Sequence, residues 1–427
     1  MQFKTLLTPL VIAGGLAATT VTAANQPSAT DILNTYSDIA LATYEDSLIT
    51  AKDLQNSINS FLSNPTQQTL HQARSAWVDA RAPYQQSEAY RFGNAIVDDW
   101  EGRVNAWPLD EGLIDYVDDG SYGDESDEND QYTANIIANT TLTVGGATID
   151  ATKITPALLS ETLHEVDGIE SNVASGYHAI EFLLWGQDLN GTNAGAGNRP
   201  ATDFSLNNCS NGNCERRRDY LQAATTLLIT DLQEMVDNWK VDGAARQELA
   251  EKGEEGAIAT ILTGMGSLAY GELAGERTKL GLMLHDPEEE HDCFSDNTHW
   301  SHYYDAKGIK NVYLGSYTRV NGSVVTGPSL SDYVASQSPV VDQNLKNKLD
   351  ITEAAAQVMV DRAKQGEAFD VLIAEGNKAG NQVVQDFVDA LTSETKAIEN
   401  VIAVLELDNI ELEGSDSLDN PTAVLAE

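Results

Sequence analysis

Residues 176–188 read GYHAIEFLLWGQD, and their apolar members decide the fold class. Ile180, Phe182, Leu183, Leu184 and Trp185 surround a helix on every side instead of marking one stripe, which is the pattern of a helix buried among other helices. His178 and Glu181, three residues apart, project to one side of it together. Polar groups in such surroundings need partners. An imidazole and a carboxylate on one face of a buried helix are half of a metal site, or a hydrogen-bonded core pair.

Helical periodicity dominates on both sides of this segment. Ile32, Tyr36, Ile39, Leu54, Ile58 and Phe61 predict a first amphipathic helix, and Asn64 is expected to cap a second with Pro65 at its first position. Leu221, Leu228, Leu232, Met235 and Trp239 mark another stripe, as do Val384, Phe387, Leu391, Ile398, Ile402 and Leu405. Strand signals are confined to TLTVGGATID (141–150) and to a hairpin around Asn321-Gly322. Long helices near 65–92 and 256–284 each lead into an acidic, aromatic-bearing loop. The expectation is an all-α fold of two four-helix-bundle-like halves related by a loose internal duplication, 28–205 and 215–410, joined through a Gly-, Asn- and Pro-rich stretch. An acidic tail, 411–427, and a mobile acidic loop at 118–130 complete the chain.

The 427 residues carry 66 Asp and Glu against 25 Lys and Arg, a formal charge of -41. That field repels phosphate backbones and anionic membranes and attracts cations, so nucleic acid is excluded as a partner. Residues 1–23 have Lys4, an apolar run from Leu6 to Ala18 and a small-residue site at Val21-Thr22-Ala23, which reads as a secretory signal peptide. No later segment is apolar enough to span a bilayer, so export to the periplasm is expected. Cys209 and Cys214, in a loop of turn-forming residues, suit a local disulfide in an oxidising compartment, with zinc as the less favoured use; Cys293 is left over.

Other polar residues also fall on core stripes. Arg81 and Glu88 share a face with Leu70, Trp77 and Tyr84, where they would form either a buried ion pair or part of a binding site, and Pro83 should kink that helix. WPLDEGLIDY offers Asp110 and Glu111 on a rigid turn. Glu276 lies on the stripe of Met265, Leu273 and Leu280, and the following segment gathers His285, His291, Asp292, Cys293, Asp296, His299 and His302 as a cation-binding element or a solvated acidic loop.

Taken together, GYHAIEFLLWGQD, WVDARAPYQQSEAYRFG, WPLDEGLIDY, GELAGER and HDCFSDNTH resemble the imelysin-like family and its iron-regulated protein A branch. Gly176, His178 and Glu181 match the GxHxxE motif of that family. The resemblance implies two helical halves, export to the bacterial envelope, a link to iron acquisition and a site between the halves. Carried over by motif, His178 and Glu181 are the expected metal residues, with Glu88 next and Asp110 and Arg81 weaker; Glu276 is a supporting candidate, and His291, Asp292, Asp296 and His299 are second-half candidates. The expected function is a periplasmic protein binding iron, with envelope transport components as possible partners. The alternative is a zinc metallopeptidase using Glu181, although the chain has no HExxH.

Overall fold

The computed structural model describes residues 26–118, 120–123, 126–408 and 410–425. The expected signal peptide lies outside them, as do three positions of the 118–130 loop. Among the described residues no helix is long and apolar enough to cross a membrane.

The fold is all-α, with two short antiparallel hairpins, β1–β2 (Thr141–Val144 and Ala147–Asp150) and β3–β4 (Ser316–Thr318 and Val324–Thr326), at the two places where the turn chemistry predicts them. Helix α1 (Ala29–Ser63) starts at Ser28, whose side chain accepts from the Asp31 amide. Helix α2 (Gln67–Gln85) is capped by Thr66 and not by Asn64: Thr66 and Thr69 form a reciprocal capping box, and Asn64 closes the end of α1. Pro83 lies two residues from the end of α2, where it terminates the helix instead of kinking a longer one. Helix α3 (Ala95–Asn105) follows, then α4 (Gly176–Trp185), in which all ten residues are buried.

Helix α5 (Cys214–Trp239) begins at the end of the boundary expected at 205–215, yet it packs against α1 and α4, so the first helical group extends to Trp239. Cys209 and Cys214 are joined as a disulfide just before it. The second group contains α6 (Gly253–Ser267), α7 (Thr298–Leu314), α8 (Pro339–Ala363), the short α9 (Phe369–Ile373) and α10 (Lys378–Val404). Contacts of α2 with α7 and of α1 with α6 join the groups, and one hydrophobic core runs from Ile32 to Val401.

From Leu268 to Leu280 the backbone after α6 is π-helical. Gly266, Gly271 and Gly275 line a groove along it, where an added Cβ would meet Leu412, Glu413 or Ser415 at 2.2–2.9 Å. The segment 412–417 fills that groove, with Ser415 and Ser417 buried, instead of trailing away as the acidic tail expected from composition. The 118–130 loop is likewise held near its ends: Tyr122 stacks on Tyr132 with centroids 4.1 Å apart, and Asn129 is buried.

Candidate metal centre

Helix α4 is pressed against α3 at its first residue. Gly176 has φ +82°, and a Cβ there would stand 2.5 Å from the Val104 carbonyl oxygen, so the glycine of GYHAIE is a backbone requirement. This contact fixes where His178 and Glu181 point. His178 Nδ1 lies 3.0 Å from Glu181 Oε2. Glu181 Oε1 accepts from the Ser295 amide at 3.0 Å and from the Ser295 hydroxyl at 2.6 Å, which ties α4 to the 286–297 segment of the second group.

That segment supplies the other half of the site. The His178 and His291 rings meet edge to face with centroids 4.8 Å apart. One ring nitrogen of each and a carboxylate oxygen of Asp292 lie within 4.8 Å of one another, and all three residues are buried. His178 Nε2 and His291 Nε2 are both buried without a hydrogen-bond partner. Arg81 enters from α2. Its guanidinium donates to Asp292 Oδ1 at 2.9 Å and to Asn105 Oδ1 at 2.5 Å, and it packs over Trp77, Tyr84 and Tyr177. Asp292 Oδ2 accepts from Asn297 and Ser301.

The electrostatics follow from burial and from Arg81. Burial, with Arg81 nearby, lowers the His178 imidazole to about 3 and drives His291 in the same direction, so both rings are neutral and hold a lone pair at neutral pH. Burial is the largest influence on Asp292 and raises it, but Arg81, His178 and the hydrogen bonds from Ser301 and Asn297 together outweigh it and hold that carboxyl below its ordinary range. Glu181 is pushed well up, by burial first and by Asp292 second. The centre thus combines two neutral imidazoles, one carboxylate with an arginine already on it, and a glutamate within hydrogen-bond distance of His178.

The remaining sequence candidates lie elsewhere. Glu88 is taken by Arg277 of the π-helical stretch at 2.8 Å, so the Arg81–Glu88 pair does not form: each residue found a partner of opposite charge in the second group. Asp110 accepts from Asn129 and Ser171 and lines a cavity of about 520 Å³. Glu276 faces the groove of the C-terminal segment near Ser415 and Asp416. Asp296 joins Asp188 and Asp370 in a separate carboxylate cluster. The His299 ring packs beside Trp300. Glu181 touches His178 and does not belong to the converging set. Sequence reading singled out neither Ser295 nor Asn105, although Ser295 lies inside HDCFSDNTH and Asp188 ends GYHAIEFLLWGQD.

The 520 Å³ cavity adjoins the centre. Trp107 and Cys293 line it; Trp107 also packs edge-on against His291, and Cys293 follows Asp292 in the chain. Its walls carry Asp110, Glu111, Asp118, Asp188 and Glu288. Burial raises Glu111 to about 8 and Glu288 to about 7. Burial also raises the Cys293 thiol well above its ordinary value, so that sulfur is a poor nucleophile.

The imelysin family model, of the M75 peptidase class, matches residues 40–398. The chain belongs to the imelysin family. Iron-regulated protein A of Synechococcus elongatus is 33% identical over 60 residues, a stretch covering 14% of this chain and 17% of that relative. Two solved imelysin-type structures share the fold. One, described as an iron-regulated protein A precursor from Parabacteroides distasonis, has a TM-score of 0.62 at 17% identity, covering 89% of this chain and 96% of the other. The second, an imelysin-like protein from Psychrobacter arcticum, has a TM-score of 0.56 at 17% identity, covering 89% and 97%. In this imelysin the GxHxxE histidine lies beside His291 and Asp292, with the motif's glutamate against its Nδ1.

Proposed function

We propose that this imelysin is an exported iron-binding protein of the periplasm, in which His178, His291 and Asp292 hold the ion as cargo. The observation that carries the reading is the convergence of two neutral imidazoles and one carboxylate, with an unpartnered Nε2 on each ring. Two histidines and a carboxylate are a donor set suited to ferrous iron. In this reading Glu181 is a positioning residue, orienting the His178 ring through Nδ1 as carboxylates commonly do for metal-bound histidines. Arg81, paired with Asp292, offsets the negative charge of the donor set. The acidic cavity beside Trp107 gives a cation an electrostatically favourable approach. The iron-regulated protein A names of two relatives and the signal-like sequence of residues 1–23 support the same reading.

A zinc peptidase is less well supported. Its general base would be Glu181, which is fully buried and accepts from Ser295 twice while meeting His178, leaving no oxygen directed at a water in the cavity. Elemental analysis of protein purified from iron-replete periplasm tests the proposal: near-stoichiometric iron is expected, whereas zinc in its place together with peptide cleavage abolished by Glu181→Gln would overturn it.

A further inference from the structure

A second group of carboxylates lies next to the histidine centre and is chemically unlike it. Asp188, two residues past the Gly186 that ends α4, Asp296 of the 286–297 segment, and Asp370 of α9 bring one oxygen each within 4.8 Å of one another. They come from three separated parts of the chain, and the charges acting on them are other carboxylates: Asp188 and Asp370 on Asp296, Asp188 on Asp370, and all three on the buried Glu290. Such an arrangement opposes folding unless something positive joins it.

Asp370 gives the independent sign of a ligand. It is 1% exposed, and neither of its oxygens has a hydrogen bond of good geometry; the backbone N–H groups of Asp370 and Val371 are its nearest donors and only partly offset its burial. Asp296 Oδ1 is also buried without a partner. Asp188, by contrast, is already oriented, its Oδ1 accepting from the Asn190 amide and side chain, which leaves Oδ2 for another use. A fully buried carboxylate with both oxygens bare is rare in folded proteins.

We propose that Asp188, Asp296 and Asp370 form a second cation site, for a hard divalent ion of the calcium class, distinct from the His178–His291–Asp292 centre. All three donors are carboxylate oxygens, with no nitrogen or sulfur among them, and the site is partly open to water through Asp188 and Asp296, which suits a cation that completes its shell with water. Its position gives it a consequence. Asp296 follows Ser295, which holds Glu181, and Asp188 follows the helix that carries His178, so the ion would clamp both loops of the histidine centre to α9.

The test uses full-length mature protein stripped with chelator and titrated with calcium chloride in 150 mM potassium chloride, followed by thermal unfolding and by calorimetry. Calcium should raise the unfolding midpoint and bind with one strong equivalent. Asp370→Asn and, separately, Asp296→Asn should each abolish both effects, and without calcium each should unfold at or above the wild-type midpoint, because a repulsive charge has gone. His178→Ala should keep the calcium response, and so should Asp127→Asn/Asp130→Asn, a control on the exposed acidic surface. An absent calcium response in the wild type, an undiminished one in Asp370→Asn, or its loss in His178→Ala would each overturn the proposal.

Discussion

His178 and His291, 113 positions apart in sequence, meet edge to face with ring centroids 4.8 Å apart, although their segments belong to different helical groups. Two buried imidazoles have no reason to sit together for packing alone, since each leaves an Nε2 without a partner. The pairing makes chemical sense when a third species takes both nitrogens.

Glu181→Gln should weaken binding of ferrous iron by about 10- to 100-fold, because a carboxamide orients the His178 ring less strongly than a carboxylate does. Gln retains an oxygen able to accept from Ser295, so the unfolding midpoint should move little. Anaerobic calorimetry beside a thermal scan separates the two effects.

Arg81→Gln leaves Asp292 buried without its cation. Metal-free protein should lose about 3–5 kcal/mol of stability, the usual effect of breaking one side of a buried ion pair. Added ferrous iron should restore much of that loss, and a denaturant titration with and without the metal reads both quantities.

Gly176→Ala places a side chain 2.5 Å from the Val104 carbonyl oxygen on a backbone with φ +82°. The cost should exceed about 1 kcal/mol, as expected where alanine is forced to positive φ, with added loss from the close approach to α3. Urea unfolding of the variant checks this.

Glu394 tests the electrostatics of the core away from any metal residue. Burial raises its carboxyl to about 7 from an ordinary 4.5, against smaller opposing effects of Thr352 and Lys310. Between those two values the unfolded chain releases a proton that the folded chain keeps, so this residue takes away stability as pH rises. Glu394→Gln should match the wild type near pH 4.5 and exceed it by about 3 kcal/mol at pH 8, the free-energy equivalent of that shift. Urea titrations across this pH range decide it.

Much of this was legible in the sequence, and for identifiable reasons. Ile180 to Trp185 surround α4 because it is buried on every side, and the alternation of turn and β-forming residues located both hairpins. The GxHxxE residues could be picked out because a buried histidine and glutamate stand out against apolar neighbours. Which partners they meet could not be read, because Asp292 and Ser295 approach from more than 110 positions away, and one-dimensional spacing carries no information about that approach. Glu88, the next candidate after His178 and Glu181, pairs instead with Arg277, which reaches it from a π-helical stretch whose winding differs from the 3.6-residue period of an ordinary helix face.

The most direct test of the central claim is an anaerobic titration of chelator-stripped protein with ferrous iron, comparing the wild type with His291→Ala, a variant outside the GxHxxE motif. One tight equivalent in the wild type that disappears in His291→Ala, while the variant keeps its helical circular-dichroism signal and cooperative unfolding, is the predicted result. Iron binding of unchanged affinity and stoichiometry in folded His291→Ala would contradict it.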